Sequence, residues 1–233
     1  MARLYGFHAV AAALNAPRRR LVRLYATSAA AERLAAEIAR RGVEVRVVTA
    51  DEIAARLPRD AVHQGLLLEA EPLQPLDVSE LPENGLVVVL DQVTDPHNVG
   101  AILRTCAAFA VDAVMTTERH SPEFSGALAK AASGGLEHVA ISTVTNLARA
   151  LEELGDLGYW RVGLDSAAPE ILGAAPLSRP LALVLGAEDR GLRRLTREKC
   201  DALARLDLPG AIKSLNVSNA CAIALALANR AAS

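Results

Sequence analysis

The chain has 233 residues, 52% of them hydrophobic and 22% charged, with a formal net charge of −2. That balance suits one large or two small globular domains and excludes a disordered chain. The longest apolar stretch, 220–228, is too short to cross a bilayer, and Arg3, His8 and Arg18 to Arg20 interrupt any leader-like opening, so a cytoplasmic protein off the membrane is expected.

Cys106, Cys200 and Cys221 form no CxxC pair, and His8, His63, His97, His120 and His138 show no ligand spacing. Neither a disulfide framework nor a metal site is expected. Residues 1–46 hold nine Arg and three Glu, a balance of 9 − 3 = +6. Two readings stand for that excess: a face that steers a phosphate backbone, or a solvated arginine-rich surface.

In chain order, Ala-rich residues 7–15 predict a helix and 21–26 a strand. A helix is expected over 29–41, ended by Gly42, then a strand over 43–48, a short helix over 51–57 opened by an acidic cap, and a strand over 66–69. Residues 1–70 thus read as a small α/β unit, expected to fold alone and bind RNA. Residues 71–84, with Pro72, Pro75 and Pro82, lack periodicity and read as a linker. From 85 to 233 strands and helices alternate. Strands are expected at 86–90, 113–116, 139–142, 160–164, 181–185 and 203–208; helices are expected from about 99, over 126–132 and 147–154, and over 214–231. Such alternation implies an α/β fold with a parallel, doubly covered sheet.

Three polar islands follow strands of this second region: DQVTDPHNVGAILRT at 91–105, GAEDRG at 186–191 and SLNVSNA at 214–220. Open parallel sheets bind ligands at the carboxyl ends of their strands, so Asn98, Arg104, Glu188, Ser214 and Asn216 are expected to converge on one pocket. Asn98 is placed to cap the following helix, and Gly100 permits close approach of a backbone or ligand. Arg104 suits a phosphate, or else is a surface arginine paired with Asp91 or Asp95. Gly186 lets a flat ring lie against the backbone. Glu188 anchors Arg104 or a ribose hydroxyl, or simply opens a helix. Ser214 reads as an N-cap, with nearby backbone amides free for a ligand. No GxGxxG or P-loop is present.

Taken together, the islands resemble the three motifs of the SpoU/TrmH branch of the SPOUT RNA methyltransferases. Asp95, Pro96, Asn98, Gly100 and Arg104 match the first motif, Gly186, Glu188 and Gly191 the second, and 214–218 (SLNVS) the third. The front segment, with YGFHAVAAAL at 5–14 and HQG at 63–65, is similar to the family's ribosomal-protein-like substrate-binding domain. One departure is visible: Leu206, Asp207, Leu208, Pro209 and Gly210 stand where the family commonly has an Ile-Pro-Met run.

The resemblance implies a SPOUT domain with a trefoil knot, binding S-adenosyl-L-methionine through the backbones of Gly186, Leu206 and Leu215. It also implies a homodimer whose active site is completed across the two chains. The reaction implied is ribose 2′-O-methylation of a 23S rRNA guanosine, with tRNA methylation or a non-catalytic ribosome-assembly role as alternatives. Arg104 would grip the target phosphate and stabilise the developing alkoxide, or remove the proton with phosphate help, with Asn98, Glu188, Ser214 and Asn216 around it. From the residues themselves, the final helix carries Val217, Cys221, Leu225 and Ala228 on one stripe and Ile223 and Leu227 on another. A helix apolar on two sides must bury both, so it and the helix from 99 are expected to pack across a two-fold axis.

Overall fold

The computed structural model describes residues 1–119, 121–174 and 176–231, so His120 lies outside the described residues. The first sheet is built from β1 (Ala2–Tyr5), β2 (Leu21–Ala26), β3 (Glu44–Val47) and β4 (Leu66–Ala70), in the order β1-β4-β2-β3. β1 and β2 both run antiparallel to β4, and β3 runs parallel to β2. Its helices are α1 (Phe7–Asn15), α2 (Ser28–Arg33), α3 (Ala35–Arg41) and α4 (Ala50–Ala54).

Several local expectations are corrected here. The helix foreseen over 29–41 is two helices, broken at Leu34, whose backbone sits at φ −114° while its side chain is 1% exposed. Gly42, at φ 62°, ends α3 as the sequence predicted. α4 is opened by Thr49 rather than an acid: Thr49 and Glu52 exchange reciprocal capping bonds. The segment 71–84, expected as a linker, packs against the second sheet. Leu76 N donates to Ile141 O at 2.7 Å, and Val78 and Leu81 are buried.

The second sheet has seven strands: β5 (Leu86–Asp91), β6 (Ala113–Thr117), β7 (Ala140–Val144), β8 (Trp160–Leu164), β9 (Glu170–Ile171), β10 (Leu181–Gly186) and β11 (Ala202–Arg205). They lie in the order β7-β6-β5-β10-β8-β11-β9 with every pair parallel. The helices are α5 (Pro96–Ala108), α6 (Gly126–Ala131), α7 (Leu147–Asp156), α8 (Arg194–Glu198) and α9 (Val217–Ala231).

Central β5 shows why its sequence is a continuous apolar run. Leu86, Val88 and Leu90 join the core beneath α5, α6 and α9, while Val87 and Val89 join the opposite core with Leu147, Leu151 and Leu154 of α7. A strand covered on both faces has no polar alternation to display. The α/β reading with a doubly covered parallel sheet therefore holds. Among the described residues, no helix is long and apolar enough to cross a membrane.

α5 lies unusually close to α6. A Cβ added to Gly100 would sit 2.5 Å from Ala131 Cβ and 2.7 Å from Leu128 O. The glycine thus serves backbone-to-backbone approach, one of the two roles foreseen for it. Gly100→Ala should therefore overpack this contact and lower unfolding free energy by about 1–3 kcal/mol. Urea denaturation checks this, and an unchanged midpoint would show that α5 and α6 can part without cost.

Candidate active site at the carboxyl ends of β5, β10 and β11

The register of β5 with β10 places Gly186 opposite Asp91, so the first two polar islands leave the sheet side by side. Asp91 is fully buried, and its carboxylate accepts from Arg193 N at 2.9 Å and Arg193 Nε at 2.6 Å. That grip folds the loop after β10 back toward β5. Gly186 makes the fold-back possible: a Cβ there would lie 2.2 Å from Gly191 C and 2.4 Å from Leu192 N. The backbone that presses on Gly186 is therefore the protein's own. Asp91 is thus the partner of Arg193 and not of Arg104.

Asp95, not Asn98, caps α5, accepting from His97 N at 2.9 Å with Pro96 at the first helical position. Asn98 is thereby left free to reach sideways. Its Nδ2 donates to Glu188 Oε1 at 3.0 Å, and its Oδ1 accepts from Asn216 Nδ2 at 2.9 Å. Asn216 Nδ2 also donates to Glu188 Oε1, as does Val217 N at 3.1 Å. One carboxylate oxygen collects donors from α5 and from the start of α9.

The cap of α9 also differs from expectation. The helix starts at Val217, and Asn216 Oδ1 accepts from Ser218 N at 2.9 Å. Asn216 is the cap, and Ser214 lies in the irregular, exposed stretch before it.

Beside the cluster lies a cavity walled by β8, β10, β11 and the 206–217 segment. Gly186, Leu206 and Leu215 all line it, together with Glu188 and Ser214. Leu164, Leu185, Ala204 and Val217 give it apolar walls, and Asp165 adds a second carboxylate. Asp165, which the sequence reading missed, is paired with Arg197. Its only early signal was its place just after an apolar strand.

Arg104 stands apart. It is exposed, does not line the cavity and, among the described residues, has no hydrogen-bond or ion-pair partner. Six residues beyond Asn98, it lies about 9 Å further along α5 at ~1.5 Å per residue. The expected convergence of all five polar residues in one pocket is thus corrected. Glu188, Asn98 and Asn216 meet, Ser214 adjoins them at the cavity, and Arg104 does not join them. Glu188 does not anchor Arg104.

The cysteines take no part. Cys106 and Cys221 are buried where α5 meets α9, and the hydrogen bond between them, then burial, raises the Cys106 thiol well above its ordinary value. Burial pushes Cys200 up to about 12. Among the described residues no group of three His, Cys, Asp or Glu could hold a metal ion.

This geometry meets two family descriptions. Residues 85–226 match the SpoU rRNA Methylase family, and residues 3–76 match the RNA 2′-O ribose methyltransferase substrate binding family. The chain belongs to the SpoU rRNA methylase family. It is 39% identical over 233 residues to the 23S rRNA (guanosine-2′-O-)-methyltransferase RlmB of Pasteurella multocida, covering 95% of each chain. It is also similar to the AdoMet-bound rRNA methyltransferase structure from Sinorhizobium meliloti, with 26% identity and a TM-score of 0.82, covering 98% of this chain and 87% of that one. The TrmH/SpoU tRNA modifying enzyme of A. aeolicus gives 28% identity and a TM-score of 0.58, covering 66% of this chain and 78% of that one.

For this SpoU protein the buried carboxylate under the site supports a direct test. Asp91→Ala removes the buried carboxylate to which Arg193 N and Nε both donate, at a cost of about 1–3 kcal/mol. Urea denaturation should show that loss, and hydrogen exchange should show faster opening of amides 187–193. Unchanged exchange there would mean that the loop holds its place without the Asp91–Arg193 pair.

Proposed function

We propose that this protein transfers a methyl group from S-adenosyl-L-methionine to the 2′-hydroxyl of a guanosine ribose in 23S rRNA. The observation that carries this reading is the span of the likeness. The relative that acts on 23S rRNA matches both the front unit and the catalytic sheet, whereas the tRNA-modifying neighbour covers only 66% of the chain. On the same ground we place the functional division at 1–70, a connecting segment 71–84, and 85–233.

The cavity suits the cofactor chemically. Leu164, Leu185 and Ala204 offer apolar walls to an adenine, and the backbones of Gly186, Leu206 and Leu215 offer donors and acceptors for its edge. Asp165 is already paired with Arg197, and Arg205 and Lys213 also line the cavity, so Glu188, without an ion pair among the described residues, is the carboxylate left to face a cation. The departure at 206–210 leaves these backbone contacts available, because Leu206 and Leu208 still line the wall. When bound, the sulfonium supplies an electrophilic methyl carbon.

The protein's own part is alignment and water exclusion around an in-line displacement. The 2′-hydroxyl that accepts the methyl must lose its proton, which would pass to a phosphate oxygen or to water. A guanidinium offers five donors and no acceptor, so Arg104 best serves by holding the neighbouring phosphate and the developing alkoxide. Glu188, Asn98 and Asn216 fix the entrance that the ribose passes, with Ser214 at its rim.

The separation of Arg104 from its own cavity supports an active site shared by two chains. α5 and α9 already pack on each other within one chain. Beyond that contact α9 still presents Ile223, 39% exposed, and the half-buried Leu227. A second copy seated there would cover both and bring its own α5 close. Ala224, by contrast, is fully buried within the chain, so a charge there would test folding and not assembly.

Two outcomes follow. Arg104→Ala should lose methyl transfer to a 23S rRNA fragment by about a hundredfold or more while binding S-adenosyl-L-methionine normally. Radiolabelled methyl incorporation and calorimetry together check this, and transfer at the wild-type rate would end this role for Arg104. Placing charges with Ile223→Lys and Leu227→Glu together should give a folded monomer with little activity, read by light scattering beside the same assay. A fully active monomer would show that one chain holds a complete site.

A further inference from the structure

We propose that Glu137, held by Arg19, is a positioning residue for Arg104, so that the seating of the front sheet is transmitted to the helix that faces the RNA. The inference rests on the reading of Arg104 given above. It starts from an ion pair that joins residues 118 apart in the chain. The side chains of Arg19 and Glu137 are 1% and 4% exposed. Arg19 Nε donates to both carboxylate oxygens, at 3.0 and 3.1 Å, and Nη2 donates to Oε1 at 2.6 Å. Arg19 Nη1 also donates to Glu71 O at 3.2 Å, and its carbonyl accepts from Arg41 Nη2 at 2.6 Å. The arginine is therefore fixed by the front unit, the connecting segment and the catalytic sheet at once.

Glu137 ends a short 3-10 turn, Gly135–Glu137, that is pressed between two helices. On one side, Gly134, at φ 95°, faces α1: a Cβ there would lie 2.8 Å from Ala12 Cβ. On the other side, a Cβ on Gly135 would lie 2.8 Å from Arg104 Cα and 2.8 Å from Leu103 O. Leu136, between Gly135 and Glu137, is 2% exposed in the core. No side chain cushions the turn against the Arg104 backbone. Packed interiors pass such displacements on instead of absorbing them.

The choice of an ion pair for this place is informative. A buried pair contributes little net stability compared with apolar residues of the same volume. What it adds is direction, because a forked guanidinium on a carboxylate fixes both distance and angle. Apolar side chains at the same junction could slide. The pair therefore suits registration of the front sheet against α5 better than it suits adhesion.

The test uses the full-length chain and a 23S rRNA fragment, with Glu137→Gln, the double variant Arg19→Met/Glu137→Met, and Arg104→Ala as control. For each, the melting temperature, the affinities for S-adenosyl-L-methionine and for the fragment, and the single-turnover rate of methyl transfer are measured. The double variant removes both charges, so no charge is left stranded as Arg19 is in Glu137→Gln. The expected result is a rate about ten to a hundred times lower in both variants, with both affinities unchanged. Full rate in both variants, with Arg104→Ala inactive, overturns the inference alone. Activity retained by Arg104→Ala overturns the reading beneath it. A loss confined to RNA affinity assigns the pair to docking, and unfolding of both variants assigns it to stability; either overturns the proposal.

Discussion

The arrangement of the site depends on one carboxylate oxygen. Glu188 Oε1 accepts from Asn98, Asn216 and the backbone of Val217, groups that reach it from two other parts of the chain. The cluster is largely exposed, so each bond contributes about 0.5–1.5 kcal/mol. That is small beside a domain's total of about 5–15 kcal/mol. The consequence is geometric. The ends of β5, β10 and β11 carry long loops, and the shared acceptor brings the first turn of α5, the loop after β10 and the cap of α9 into one frame.

Beneath this exposed frame lies a stiffer floor. Asp91 is fully buried and opposite Gly186 in the register of β5 and β10. Its two bonds to Arg193 hold the fold-back that the missing Cβ of Gly186 permits. Loss of either feature would act on the loop from below, through packing or an unsatisfied buried group, where costs are larger. The same glycine thus does two things at once: it accommodates the protein's own backbone and forms part of the cavity wall.

The legibility of this structure in its sequence follows the strength of each local signal. Strands β5 and β10 were read closely because burial on both faces makes them continuous apolar runs. β1 has only four residues, one of them Arg3, and is defined by pairing with β4 more than sixty residues away. β9 has two residues, and α8 is mostly charged with no apolar stripe, so neither carries a periodic pattern. Helix starts were misread for a different reason. Asp95 and Asn98, like Ser214 and Asn216, are pairs of competent caps, and which one serves depends on tertiary partners such as Glu188. The site residues themselves were legible as types and as islands. Their sorting into a joined cluster and a distant Arg104 was not, because helical spacing gives separation along an axis and says nothing of which cavity the axis passes.

That sorting bears on how the activity is organised. In-line displacement requires reacting atoms about 3–3.5 Å apart, yet Arg104 lies about 9 Å along α5 from the cluster residue Asn98 and outside the cavity. Under the two-chain reading the distance is no defect. A cavity built from β8, β10 and β11 of one chain and an arginine from α5 of the other would meet only when both chains are seated. Stability and activity would then rest on different contacts. Val88, Leu103 and Leu225 are fully buried within the single chain, whereas under the two-chain reading the reacting groups would come together only through the remaining apolar side of α9. A substitution on that side would leave the fold intact and still silence the enzyme, whereas one in the α5–α9 contact within a chain would damage both together.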